Sequence, residues 1–189
     1  MALCDLEPPG AALRVASLRV AVIGLGNPLL SDDAAGLVVA RGVHERLGHP
    51  AVDLIQLPAG GVELMETLWG YRKAVVIDAI VTPGGVAGSY YEVDLSHPTA
   101  CRRAGSTHEI GILEGLALGR RLGLAVPESL RLYAVEVADP FTFGTRMTAA
   151  VEAAVPVIAA EIASAVRDEL VAEGEPSFPT RTSGEEEQC

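Results

Sequence analysis

Apolar residues along this chain fall into two kinds of run. Continuous apolar stretches, the mark of strands buried on both faces, occur at Leu18–Leu25 (LRVAVIGL), Ala51–Leu57 (AVDLIQL), Lys73–Val81 (KAVVIDAIV) and SLRLYAVEV from Ser129. Between them lie segments with helical spacing. DDAAGLVVARGVHERLG carries Ala34, Leu37, Val38, Val43 and Leu47 on one side, GGVELMETLWGY reads as a short helix, and EIGILEGLALGRRLGL is amphipathic. GGVAGSYYEVDL reads as an edge or hairpin strand entered through glycines. The alanine-rich stretch from Thr145 to Gly174 predicts a long helix bent at Pro156.

Alternation of strand and helix predicts an α/β fold: one twisted, mainly parallel sheet with helices on both faces and one antiparallel edge strand. The expected organisation is an irregular leader over 1–17, a single domain over 18–173 and a disordered acidic tail over 174–189. In such a sheet ligands bind beyond the carboxyl ends of the strands. That rule singles out Leu25–Asp33, the surroundings of Asp78 and the loop before Glu109.

Composition narrows the partners. With 14 Lys and Arg against 25 Asp and Glu, the 189-residue chain has a formal charge of −11. This disfavours nucleic acid and anionic membrane surfaces and fits small molecules, metals or proteins. No apolar run is expected to span a membrane, since Glu152 and Glu161 interrupt the best candidate, Val151–Val166. Cys4, Cys101 and Cys189 are too far apart to suggest a disulfide framework or a thiolate metal site. The expectation is a monomer in a reducing cytoplasm.

Several familiar motifs begin and then fail. Gly24-x-Gly26 opens like a dinucleotide turn, but Leu29 holds the place of the third glycine. Asp32 and Asp33 would also repel a pyrophosphate at the helix start. His108-Glu109 opens like a zincin helix, but Ile112 replaces the second histidine. What remains is Asp33, Asp78 and His108, on three elements that can end at one edge of a parallel sheet. Two carboxylates and an imidazole suit a divalent metal such as nickel, zinc, manganese or iron. Plainer readings stand beside this one. Either aspartate of the pair can cap the first helix, and His108 can be a loop histidine or part of a cap with Ser106 and Thr107. Asp78 is harder to explain away, because a carboxylate in an apolar strand is costly without a partner.

Together GLGNPLLSDDAAG, VVIDAIV and STHEIGILEGL, in this order and spacing, resemble the nickel–iron hydrogenase maturation endopeptidases over roughly Arg19–Ala165. The resemblance implies an enzyme that removes a C-terminal extension from the hydrogenase large-subunit precursor after nickel insertion. It places the family's metal-contacting residues on Asp33, Asp78 and His108. The nickel belongs to the substrate, and no resident cofactor is expected. No nucleophile is legible; a metal-polarised carbonyl, a metal-activated water and a carboxylate general base all remain open. Of the aspartate pair, Asp33 is expected to matter more and Asp32 less.

The chain departs from the family pattern at two places. Ala34 follows the acidic pair where glycine is common, and Gln56 stands where many relatives have an aspartate at the end of the second strand. The second departure keeps open a non-cleaving, nickel-binding accessory protein. A nucleotide-binding domain is a third reading, disfavoured by the missing glycine and the acidic pair.

Overall fold

The computed structural model describes residues 19–58, 62–95 and 107–172. The expected leader and acidic tail, and all three cysteines, lie outside the described residues. Five strands form one sheet: β1 (Val20–Leu25), β2 (Val52–Leu57), β3 (Lys73–Ile80), β4 (Tyr90–Glu92) and β5 (Ser129–Glu136). Their order is β2-β1-β3-β5-β4. The first four in that order run parallel, and β4 pairs antiparallel with β5 at the edge. The helices are α1 (Ala35–Leu47), α2 (Val62–Leu68), α3 (Thr107–Arg121) and α4 (Ala149–Ala172).

Alternation along the strands divides the core in two. Val20 and Val22 of β1, Val75 and Ile77 of β3, and Tyr133 and Val135 of β5 pack with α1 and α4. Ala21 and Ile23, Ala74 and Val76, and Leu132 and Ala134 pack with Leu64 and Leu68 of α2 and Ile112 and Leu116 of α3. The expected sheet, with helices on both faces and an antiparallel edge, is what the chain forms. The edge strand is shorter than its apolar pattern suggests, with only Tyr90–Glu92 paired.

α4 is one helix with Pro156 inside it. Two details differ from the sequence expectation. Ala149–Val171, where no membrane-length run is expected, is long and apolar enough to cross a membrane by length and composition. Here Val151, Val155, Ile158, Ile162 and Val166 on its inner side belong to the core with α1. The first helix also begins later than its pattern indicates. Ser31–Ala34 form a short 3₁₀ helix, and α1 starts at Ala35.

Gly24 of the abortive dinucleotide motif and Gly36 of α1 have a packing role. A Cβ on Gly24 would lie 2.8 Å from the Leu37 Cα, and one on Gly36 would lie 2.7 Å from the Ile77 carbonyl oxygen. α1 therefore rests directly on the backbones of β1 and β3, and its amino end is held over their carboxyl ends.

Candidate active site

The site is assembled at the carboxyl ends of β1, β3 and β5. Asp33 lies in the 3₁₀ helix, half-buried, and its Oδ2 accepts the Asn27 amide at 2.7 Å. The Asn27 side chain in turn accepts the Leu29 amide at 3.0 Å, an Asx turn that shapes the loop from β1. Asp33 makes no capping bond to α1, whose N-cap, Ala34, has no side-chain cap at all. The helix-cap reading of the pair is thereby corrected.

Asp32 corrects it further. It is fully buried, and its carboxylate points away from α1 to a loop more than a hundred residues on. Oδ2 accepts the amides of Ala138 (3.1 Å) and Asp139 (2.9 Å) and the Thr148 hydroxyl (2.9 Å), and Oδ1 accepts the Thr148 amide at 2.6 Å. Thr148 immediately precedes α4, so the charge sits at that helix's positive end, where a carboxylate is favoured. Further bonds join the two loops: Ser31 amide to Thr142 carbonyl, Gly144 amide to Leu29 carbonyl, and a bridge between Leu30 and Phe143. Within the second loop, the Thr142 hydroxyl, followed by the Thr142 and Phe141 amides, holds the Asp139 carboxyl below the usual aspartate range.

Asp78 is 7% exposed and lies in register with Ala134. By alternation it shares the face of Val76 and Ile80, on which α2 and α3 pack. His108 is in the first turn of α3; its side chain lies outside the described residues. The chain path still fixes the turn's position. The carboxyl end of α3 leads through 122–128 to the amino end of β5. A helix of 15 residues is ~22 Å long, comparable to the strand that follows. Its amino end therefore returns toward the carboxyl ends of the strands. Among the described residues no three acids, histidines or cysteines are gathered to hold a metal ion; Asp33 and Asp78 are the expected members whose side chains are described.

One carboxylate was missed in the sequence. Glu136 ends β5, is 4% exposed and pairs in register with Ile80. Its oxygens accept the Thr82 amide at 3.1 Å and the Thr82 hydroxyl at 2.5 Å, which anchors the loop leaving β3. The signal that drew attention to Asp78, an acid in an apolar run, was equally present in YAVEV.

Gln56, at the end of β2, gives its amide N–H to the Leu37 carbonyl at 3.0 Å, and its oxygen lies 3.4 Å from Arg41. The side chain is engaged with α1 and is partly exposed. Gln56→Ala is therefore expected to change stability by about 1 kcal/mol or less and processing rate by less than about threefold; thermal unfolding and a processing assay check both.

This arrangement defines an α/β protein whose candidate acidic residues, Asp33 and Asp78, stand toward the carboxyl ends of the strands. Known proteins identify it further. The family model for hydrogenase maturation proteases matches residues 38–165, a span that includes Asp78 and His108 and begins after Asp33. The hydrogenase 2 maturation protease of Escherichia coli K12 is 26% identical over 153 residues, covering 80% of this chain and 92% of that protein. The solved structure of the E. coli hydrogenase maturating endopeptidase HybD matches with a TM-score of 0.64 at 26% identity, over 86% of this chain and 98% of that one. HybD of Thermococcus kodakarensis, a nickel–iron hydrogenase maturation protease, matches with a TM-score of 0.59 at 25% identity, over 78% and 98%. The chain belongs to the hydrogenase maturation protease family and is an endopeptidase.

Proposed function

We propose that this endopeptidase removes the C-terminal extension of a nickel–iron hydrogenase large-subunit precursor after nickel insertion, acting as a cytoplasmic monomer without a resident cofactor. Asp33, Asp78 and His108 approach the substrate's nickel and hold the adjoining segment for cleavage. The observation that carries this reading is Asp78. It is a carboxylate only 7% exposed in an otherwise apolar strand, on the sheet face that α2 and α3 cover. The carboxylates, hard oxygen donors, and the imidazole suit a divalent cation.

The 3₁₀ helix also fits this role. It sets Asp33 beside the amino end of α1, whose partial positive charge opposes a cation. The arrangement suits transient contact with a metal held by another protein better than permanent retention.

A non-cleaving accessory role, the alternative that Gln56 raises in the sequence, is disfavoured by the chain's place in a family of endopeptidases. The two readings separate on incubation of the protein with nickel-loaded precursor, with the products followed by intact mass. Loss of a C-terminal fragment supports the endopeptidase; a stable complex of unchanged mass supports the accessory protein.

A further inference from the structure

We propose that Leu29, Phe141 and Phe143 form the docking surface on which an apolar segment of the precursor seats beside Asp33, an inference that rests on the proposed processing reaction. These side chains are 58%, 80% and 82% exposed. Exposed apolar side chains scattered singly are ordinary, but these three stand on two loops fastened to each other. The Gly144 amide donates to the Leu29 carbonyl at 3.0 Å, the Ser31 amide donates to the Thr142 carbonyl at 3.1 Å, and Leu30 bridges Phe143. The Asp139 carboxylate accepts the Phe141 and Thr142 amides at 3.2 and 3.0 Å. Behind them the buried Asp32 fixes Ala138, Asp139 and Thr148. Two phenylalanines are thus displayed on braced backbone. Aromatic side chains with their ordering cost already met are effective anchors of protein contacts.

Position and size choose the occupant. The loop that carries Leu29 also supplies the Asn27 amide to Asp33, and Asp32, the residue before Asp33, holds Ala138 and Asp139 of the phenylalanine loop, so both loops of the surface adjoin the candidate site. Three large side chains bury on the order of 500 Å², short of the ~800 Å² per partner of a stable interface. That area suits a substrate that must leave better than a second copy of the chain. The charge of −11 disfavours an anionic lipid surface.

The test is the double variant Phe141→Ser/Phe143→Ser, whose altered positions are exposed. The expected result is a KM for nickel-loaded precursor raised at least ~10-fold, with kcat within about threefold of the parent and an unchanged melting temperature, the pattern of lost binding that is uniform along the reaction. In parallel, Asp33→Ala with the surface intact is expected not to cleave the precursor, and to bind it at least ~10-fold more tightly than Asp33→Ala carrying both serine substitutions. An unchanged KM in the double variant overturns the proposal. So does a concentration-dependent dimer of the parent that the double variant abolishes while KM stays the same. Should the parent itself bind precursor without cleaving it, the processing reading fails. The docking surface is then judged separately, by whether the double variant loses that binding at least ~10-fold.

Discussion

Asp78→Asn is expected to abolish precursor processing, by at least ~100-fold, in a protein that keeps its fold. Asparagine has the size of aspartate and removes only the charge. At a position 7% exposed in the middle layer of the sheet, the backbone pairing of β3 with β1 and β5 does not depend on the side chain. The melting temperature should therefore move by only a few degrees, corresponding to about 1 kcal/mol. Asp33→Ala should cause an equal loss of processing. Its structural cost is one hydrogen bond, from the Asn27 amide, or about 1 kcal/mol. His108→Ala completes the series with the same expected loss. Steady-state processing and thermal unfolding on the same preparations separate the two effects. A His108→Ala protein with full activity would remove the idea that the three residues act on one metal.

The largest effect on stability is expected at Asp32, the residue that sequence reasoning ranked below its neighbour. Asp32→Ala removes a fully buried carboxylate that accepts four hydrogen bonds from three residues. The amides of Ala138, Asp139 and Thr148 lose that acceptor, at ~1–3 kcal/mol for each group left unsatisfied. The amino end of α4 loses a favourable charge as well. Because the bonds share one carboxylate, the terms do not simply add. A total of about 4 kcal/mol corresponds to a fall of roughly 10 °C in melting temperature. Asp32→Asn should fall between, since its amide retains one acceptor oxygen and turns an NH₂ toward backbone donors. Processing per folded molecule should also drop in Asp32→Ala, because the loop carrying Phe141 and Phe143 loses its anchor. A melting temperature within about 2 °C of the parent would show that the carboxylate is not the fastening described here.

The contrast between the two aspartates shows what sequence patterning can reach. The parallel strands β1, β3 and β5 were legible because burial on both faces leaves near-continuous apolar runs. α1 and α3 were legible because each covers the sheet with one side. Asp78 stood out because it violates such a run; Glu136, which violates another, was overlooked at its end. Asp32 was misread because its partners, Ala138, Asp139 and Thr148, are brought near only by the fold, while the local pattern of two acids before an apolar helix imitates an N-cap. The 3₁₀ helix was hidden for the same reason. Gly24 and Gly36 answer to the close approach of α1 to the strand backbones rather than to a phosphate. The exposed loop of Phe141 and Phe143 has no periodic signature, since its shape depends on bonds to Asp32, Ser31 and Leu29.

In the proposed reaction this endopeptidase acts on a precursor whose own nickel is read by Asp33, Asp78 and His108. The most direct test is the intact mass of the large-subunit precursor after incubation with the protein, once with nickel inserted and once without. The account predicts loss of a C-terminal fragment from the nickel-loaded precursor alone. Equal cleavage of both forms would contradict it, because the substrate's metal would then have no part in recognition.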